Sequence, residues 1–279
     1  MNHTFAIIGA AGYVAQKHLE AIKEIGGQVI AVTDPNDNLE VLDQYFPDCE
    51  YFKNTADFEA FIKQNPVDFI TICSPTHLHF EHIEISLGLG INAICESPLV
   101  LSEKQLNALI DLEEQTNKKI YSVLQYRYQP QIMKLKEHFN PNEKHTIELI
   151  NHTYRGKWFA QSWKGDAQKS GGILTSLGYH FFDFLSWIYG KPLSLQLSEQ
   201  TESSAMGKLE LEHATVSFSL NNADRNNKNI KKRRIAINGI TYPIDANTGL
   251  FTHCYSNIIN NKGIGTSEIK NIYKALEKK

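Results

Sequence analysis

The sequence predicts an α/β protein, with a doubly wound parallel sheet in its amino-terminal half and then a second region built on a mainly antiparallel sheet. Three observations carry that reading. Short apolar runs without polar alternation recur between amphipathic stretches from residue 4 to about 123, as strands buried on both faces and their covering helices must. A glycine-rich turn, Gly9-Ala10-Ala11-Gly12, follows the first run directly. After Gln125 the runs lengthen and alternate with polar residues, the pattern of a sheet with one solvated face.

The parallel strands are expected at Phe5–Ile8, Val29–Val32, Phe69–Cys73, Ala93–Cys95 and Ile120–Leu124. Helices fill the gaps. The stretch 14–25 sets Val14, His18, Ala21, Ile22 and Ile25 on one face, and 102–116 does the same with Leu106, Leu109, Ile110 and Leu112 behind a Ser102 cap. In the second half, strands are expected at Ile147–Tyr154, Leu193–Gln200, Leu209–Leu220 and Arg234–Ile237, with an aromatic helix at His180–Tyr189 and a closing helix at Ser267–Leu276. The stretch Asn221–Arg234 reads as a solvated loop, and its cluster Lys231-Lys232-Arg233-Arg234 as surface charge. The expected division is 1–122 and 123–279. One compact domain is the alternative, because 279 residues fall where single cores stop growing.

A net charge of −3 and a pI near 6.4 offer nothing to attract nucleic acid or anionic lipid, so small-molecule partners are favoured. The cysteines at 49, 73, 95 and 254 form no C-x-x-C pair, which argues against both a disulfide scaffold and a zinc site. The amino terminus enters a strand without a basic and apolar leader, and no apolar run is long enough to span a bilayer. A soluble, cytoplasmic protein is expected.

The turn Gly9-Ala10-Ala11-Gly12-Tyr13-Val14 lies between a strand and a helix, where backbone N–H groups approach a pyrophosphate at the helix amino terminus. Its spacing is one residue longer than the usual G-x-G-x-x-G. Asp34 ends the second strand at the distance where an acid grips the adenine ribose, which favours NAD over NADP. Ser74-Pro75-Thr76-His77-Leu78-His79 follows the next buried strand, at the sheet edge where ligands of open α/β folds bind. A metal reading of His77, His79 and His82 lacks a carboxylate or thiolate partner at ligand spacing, so no metal is expected.

With these segments and Glu96-Ser97-Pro98 in order, the chain resembles the glucose-fructose oxidoreductase/inositol dehydrogenase (Gfo/Idh/MocA) family. The likeness spans nearly the whole chain, and it implies a Rossmann NAD-binding domain over 1–122 and, over 123–279, a substrate-binding and oligomerisation α/β domain with an open, mainly antiparallel sheet. More narrowly, Arg155-Gly156-Lys157-Trp158, Ser162-Trp163-Lys164-Gly165-Asp166 and Lys169-Ser170-Gly171-Gly172 look like the UDP-sugar 3-dehydrogenases of surface-polysaccharide assembly. The resemblance implies NAD-dependent oxidation of the C3 hydroxyl of a UDP-N-acetylhexosamine or its uronic acid. It implies a cofactor site of Gly9, Ala11, Gly12, Tyr13, Val14, Asp34, Ser74, Pro75, Thr76, His79 and Glu96, and a homo-oligomer, dimer or tetramer. Arg127, Arg155, Lys164 and Lys169 offer cations for a diphosphate or carboxylate, and Trp158 and Trp163 flat surfaces for uracil or sugar. Core aromatics and plain surface charge are the alternatives.

In the resemblance His180, with Tyr179 beside it, serves the substrate hydroxyl; a satisfied core histidine is the bland alternative. Two positions depart from the family pattern. Ser97 stands where the family carries lysine, and Ser176, four before His180, where asparagine or aspartate is common. A serine is neutral and short, and loss of one preorganised donor costs about 100- to 1000-fold in rate. A member that binds NAD and nucleotide sugar without efficient turnover is therefore the second reading.

Overall fold

The computed structural model describes residues 3–223, 232–242, 244 and 249–277. Two compact units emerge. The first comprises Met1–Val100, Lys104–Gln125 and Thr248–Glu268, and the second Leu101–Glu103, Tyr126–Asn247 and Ile269–Lys279. The units thus differ from a single cut at 122/123 in taking segments from both sides of it.

The first unit holds β1 (Thr4–Ile8), β2 (Gln28–Thr33), β3 (Glu50–Phe52), β4 (Phe69–Ile72), β5 (Asn92–Glu96) and β6 (Ile120–Val123) in the order β3-β2-β1-β4-β5-β6, all parallel. Its helices are α1 (Ala15–Glu24), α2 (Val41–Tyr45), α3 (Thr55–Gln64), α4 (His79–Gly88) and most of α5 (Glu103–Thr116). The continuous apolar strands are buried along their length, as a sheet covered on both faces requires. Ile8 lies opposite Thr33 and Ile72, and Cys95 opposite Ile72 and Ser122. The strands therefore end together, and Gly9, Asp34, Cys73 and Ser97 follow at one carboxyl edge. The order reverses between β1 and β4, the switch point where such sheets bind ligands.

The second unit holds β7 (His145–His152), β8 (Pro192–Gln200), β9 (Ser204–Leu211), β10 (Ala214–Asn221), β11 (Lys232–Ile237) and β12 (Ile240–Tyr242), ordered β12-β11-β7-β10-β9-β8. Only the β7–β10 pair is parallel; the rest are antiparallel. Alternation sends Ile147, Leu149, Val216, Phe218 and Leu220 to the core, while Glu148 and Ser217 stay exposed. With α6 (Pro130–Glu137), α7 (Trp158–Gln161) and α8 (Ala167–Ser170) comes α9 (Tyr179–Tyr189), whose Phe181, Phe182, Phe184, Leu185 and Ile188 complete that core. The chain then adds α10 (Leu250–Ile259) to the first unit and runs into α11 (Thr266–Glu277).

Two expectations are corrected. The run Leu209–Leu220 is a hairpin that turns at Glu212-His213, where two successive polar residues, Glu212 exposed and His213 half-buried, break the alternation of a half-buried strand. Of the loop expected at Asn221–Arg234, residues 224–231 lie outside the described residues, but Lys232–Arg234 open β11 and pair with β7. Arg234 meets Glu148 across that pair at 3.4 Å. No described helix is long and apolar enough to cross a membrane.

Candidate functional site

On the first unit the glycine turn is a backbone cradle. Gly9 has φ +88°, and a Cβ there would lie 2.5 Å from Ser74 N; one at Gly12 would lie 3.2 Å from Gly9 O. Only glycine fits the first position. Gly9 N donates to Thr33 O, and Ala15 N to Gly12 O, which leads the turn into α1. Tyr13 stands 92% exposed at its crest, ahead of Val14.

Asp34 is buried beside this turn. Its Oδ2 accepts from Ala11 N at 3.0 Å, while Oδ1 accepts from Asn36 N at 2.9 Å and Asn36 Nδ2 at 3.1 Å. A carboxylate offers about four acceptor positions, so Oδ2 retains one for a ribose hydroxyl. The same charge opposes a 2′-phosphate. The cradle and the acid fit NAD.

Farther along the edge, Ser74 Oγ bonds His82 Nδ1 at 2.8 Å. Burial, and the neighbouring His79 and His77, push the His82 pKa down to about 4. Pro75 leads into the single turn Thr76–Leu78, with Thr76 buried. Glu96 Oε1 lies 2.8 Å from His18 Nε2, and His18 Nδ1 lies 2.8 Å from the Tyr255 hydroxyl, which also meets Thr71 Oγ1 at 3.0 Å. This buried chain anchors Glu96, whose Oε2 accepts the Ser97 N–H. Ser97 Oγ donates to Val123 O at 2.8 Å and pairs with Ser122 Oγ at 2.8 Å. A hydroxyl has one proton, and this one is committed to a carbonyl.

On the second unit, His180 is half-buried at the start of α9, its ring 5.3 Å from that of Tyr126. Arg233 Nη1 donates to the Tyr126 hydroxyl at 2.8 Å, with the guanidinium over the Tyr126 and Phe181 rings. Ser176 is exposed in the π-helical turn Leu174–Gly178 just before α9. Between β7 and α9, the α7–α8 segment gathers cations and aromatics. Arg155 lies over Phe159, Lys164 over Trp163, and the 53% exposed Trp158 packs edge-on to Phe159. Lys169 faces Asp166 at 3.8 Å, both well exposed.

Residues 3–124 match the oxidoreductase family's NAD-binding Rossmann fold, and residues 145–239 its C-terminal alpha/beta domain. The chain belongs to the Gfo/Idh/MocA oxidoreductase family. Among solved structures it is similar to the WlbA (WbpB) dehydrogenase of Thermus thermophilus, at 36% identity over 99% of this chain and 94% of that one. The TM-scores are 0.93 for that protein's complex with NAD and alpha-ketoglutarate and 0.94 for its complex with NAD and UDP-GlcNAcA. Inositol 2-dehydrogenase of Rhizobium meliloti is 24% identical over 70% of this chain and 58% of its own length. An uncharacterised oxidoreductase of Synechocystis is also 24% identical, over 53% of its length. The chain thus spans about half the length of these curated relatives.

Within this Gfo/Idh/MocA fold the first unit brings Gly9, Ala11, Gly12, Asp34 and Ser74 together at one edge. Three expected site residues do something else. Arg127 is not a surface donor: at 4% exposure its Nε and Nη2 grip the Asp183 carboxylate at 2.8 and 2.6 Å, with the Trp187 ring alongside. Tyr179 is buried against Tyr273, and burial first, then that neighbour, push its phenol far above the ordinary range. Glu96 directs Oε1 to His18 Nε2. Sequence reasoning passed over Asp183 and the His18–Tyr255 chain, although a lone acid in the apolar run Phe181–Ile188 and a histidine on the buried face of α1 both demand partners. Among the described residues, no group of three or more His, Cys, Asp or Glu is placed to hold a metal ion.

Proposed function

We propose that this chain is an NAD-dependent dehydrogenase that oxidises the C3 hydroxyl of a UDP-N-acetylhexosamine or its uronic acid, in the making of 3-amino sugars for surface polysaccharide. The observation that carries the reading is the 36% identity, across 99% of the chain, to a dehydrogenase solved with NAD and UDP-GlcNAcA. The segment 155–169 supports it: Arg155, Lys157, Lys164 and Lys169 against the single acid Asp166, interleaved with Trp158 and Trp163, suit a diphosphate carrying a flat base.

NAD, when bound, supplies the acceptor for the hydride from the substrate carbon. The protein holds it through the Gly9–Val14 backbone and Asp34, with Ser74, Pro75, Thr76 and His79 shaping the adjoining edge. His180 takes the hydroxyl proton, and Tyr126 against its ring fixes its orientation. Ser97 does not replace a lysine in this role, because its proton is directed to Val123 O. That commitment favours a second reading, in which the protein binds NAD and UDP-sugar but turns over slowly. Ser176, exposed before α9, contributes to substrate binding in either case. The active species is a homo-oligomer, dimer or tetramer.

The test is NADH formation by the purified protein with NAD and UDP-GlcNAc or UDP-GlcNAcA, with and without 2-oxoglutarate, beside calorimetric binding of each ligand. Turnover establishes the dehydrogenase. Tight binding of both ligands without NADH, restored by Ser97→Lys, establishes the second reading, and no binding of either UDP-sugar overturns both.

A further inference from the structure

His79, 1% exposed at the start of α4, places both ring nitrogens against backbone carbonyls. Nδ1 is 2.9 Å from Pro98 O and Nε2 is 2.8 Å from Ser74 O. A neutral imidazole has one N–H and one lone pair, so it satisfies one carbonyl and sets its lone pair against the other. An imidazolium donates to both. The site is therefore shaped for the cation, and the two carbonyls belong to separate loops at the carboxyl edge, after β4 and after β5.

Opposing groups surround the ring. Burial favours the neutral form and holds the His79 pKa below its ordinary value, outweighing the carbonyls and the Glu96 carboxylate, which favour the cation. His82, on the same helix, has its pKa pushed down to about 4 by burial and by the neighbouring His79 and His77, so it stays neutral near neutral pH and adds no opposing charge. Ser74 also abuts the cradle, its backbone N within 2.5 Å of where a Gly9 Cβ would lie. A pyrophosphate on that cradle brings two negative charges beside the loop that His79 holds, and shifts the balance toward the imidazolium.

We propose that His79 is a positioning residue that takes up a proton when NAD binds, so that a single imidazolium then holds the Ser74 and Pro98 loops in register under the cofactor. The proton comes from solvent, and no other covalent bond forms or breaks. The inference rests on NAD binding by the first unit and not on the identity of the sugar.

The experiment is calorimetric titration of the whole chain with NAD in paired buffers of low and high ionisation enthalpy, at about pH 5.5 and again at about pH 8, since a histidine with a lowered free pKa takes up its proton on the acid side of the ordinary value of about 6.5. The expected result is an apparent enthalpy that differs between paired buffers in the direction of proton uptake, more at the lower pH. That difference disappears in His79→Gln and persists in His82→Gln. Wild-type enthalpies equal within each buffer pair, with NAD still binding, overturn the proposal, as does uptake that survives in His79→Gln. Failure of NAD to bind overturns it together with the cofactor assignment, and the missing saturation distinguishes that case. If His79→Gln does not fold, the histidine ring resonances of the wild type decide. A buried ring that titrates at higher pH with NAD than without supports the proposal, and unchanged titration overturns it.

Discussion

Removing Asp183 should destabilise the second unit severely while leaving nucleotide-sugar affinity largely intact. Arg127 is 4% exposed and Asp183 1%, and their side chains are joined by two hydrogen bonds of 2.8 and 2.6 Å. Asp183→Ala strands a cation in the interior, a change that costs about 3–5 kcal/mol. The Trp187 ring, 5.5 Å from the guanidinium carbon, cannot compensate, since a cation–π contact contributes about 0.5–2 kcal/mol. At about 3–4 °C per kcal/mol for a unit of this size, the midpoint should fall by roughly 10–20 °C. Thermal unfolding followed by near-ultraviolet circular dichroism measures this, because Trp187 reports on the same environment. The double variant Arg127→Met with Asp183→Leu should recover most of the loss, as apolar replacement of a buried pair commonly does. A drop of less than about 3 °C in Asp183→Ala, accompanied by a tenfold weaker UDP-sugar complex, would refute the reasoning and return Arg127 to the ligand.

Three further outcomes are expected. Gly9→Ala, with φ +88° and a Cβ 2.5 Å from Ser74 N, should weaken NAD at least about 100-fold by calorimetry or prevent soluble expression; unchanged affinity would show that the cradle is not used. Ser97→Ala should alter steady-state turnover by no more than about threefold, since the hydroxyl proton is held by Val123 O; a loss of about 100-fold would mark it as a catalytic group. Stability should fall as pH drops from about 6.5 to about 4, because His82, with its folded pKa depressed to about 4, binds its proton more readily in the unfolded chain throughout that window. Denaturation midpoints across those pH values should flatten in His82→Leu, and an identical slope in the variant would exclude this histidine as the source.

The apolar runs of β1, β2, β4, β5 and β6 were legible because a strand covered on both faces tolerates no polar alternation. β3 escaped because Glu50-Tyr51-Phe52 is short and lies at the sheet edge, where packing places few demands. Helix α10 escaped for a different reason: its His253, Ser256 and Asn257 dilute the apolar pattern, although Leu250, Cys254, Tyr255 and Ile258 form its buried face. For the candidate site, Gly9 and Asp34 could be read from position alone, since a backbone conformation and an end-of-strand acid are local properties. The roles of Ser97, Glu96 and Arg127 could not, because each is set by a partner remote in sequence: Val123, His18 and Asp183.

The late segment Thr248–Glu268 matters for how this protein can be made. Tyr255 supplies the hydroxyl for His18, Ile264 the carbonyl for Ser122 N, and Thr266 a hydroxyl bond to Glu113. During translation, domains ordinarily fold in order from the amino terminus. Here the first unit leaves the ribosome with all six strands but without its returning segment, and must wait for it while the whole second sheet is synthesised. A gene fragment stopping at Gln125 would leave His18 buried without its phenol, so grafting the two halves between homologues requires carrying this returning stretch with the first of them.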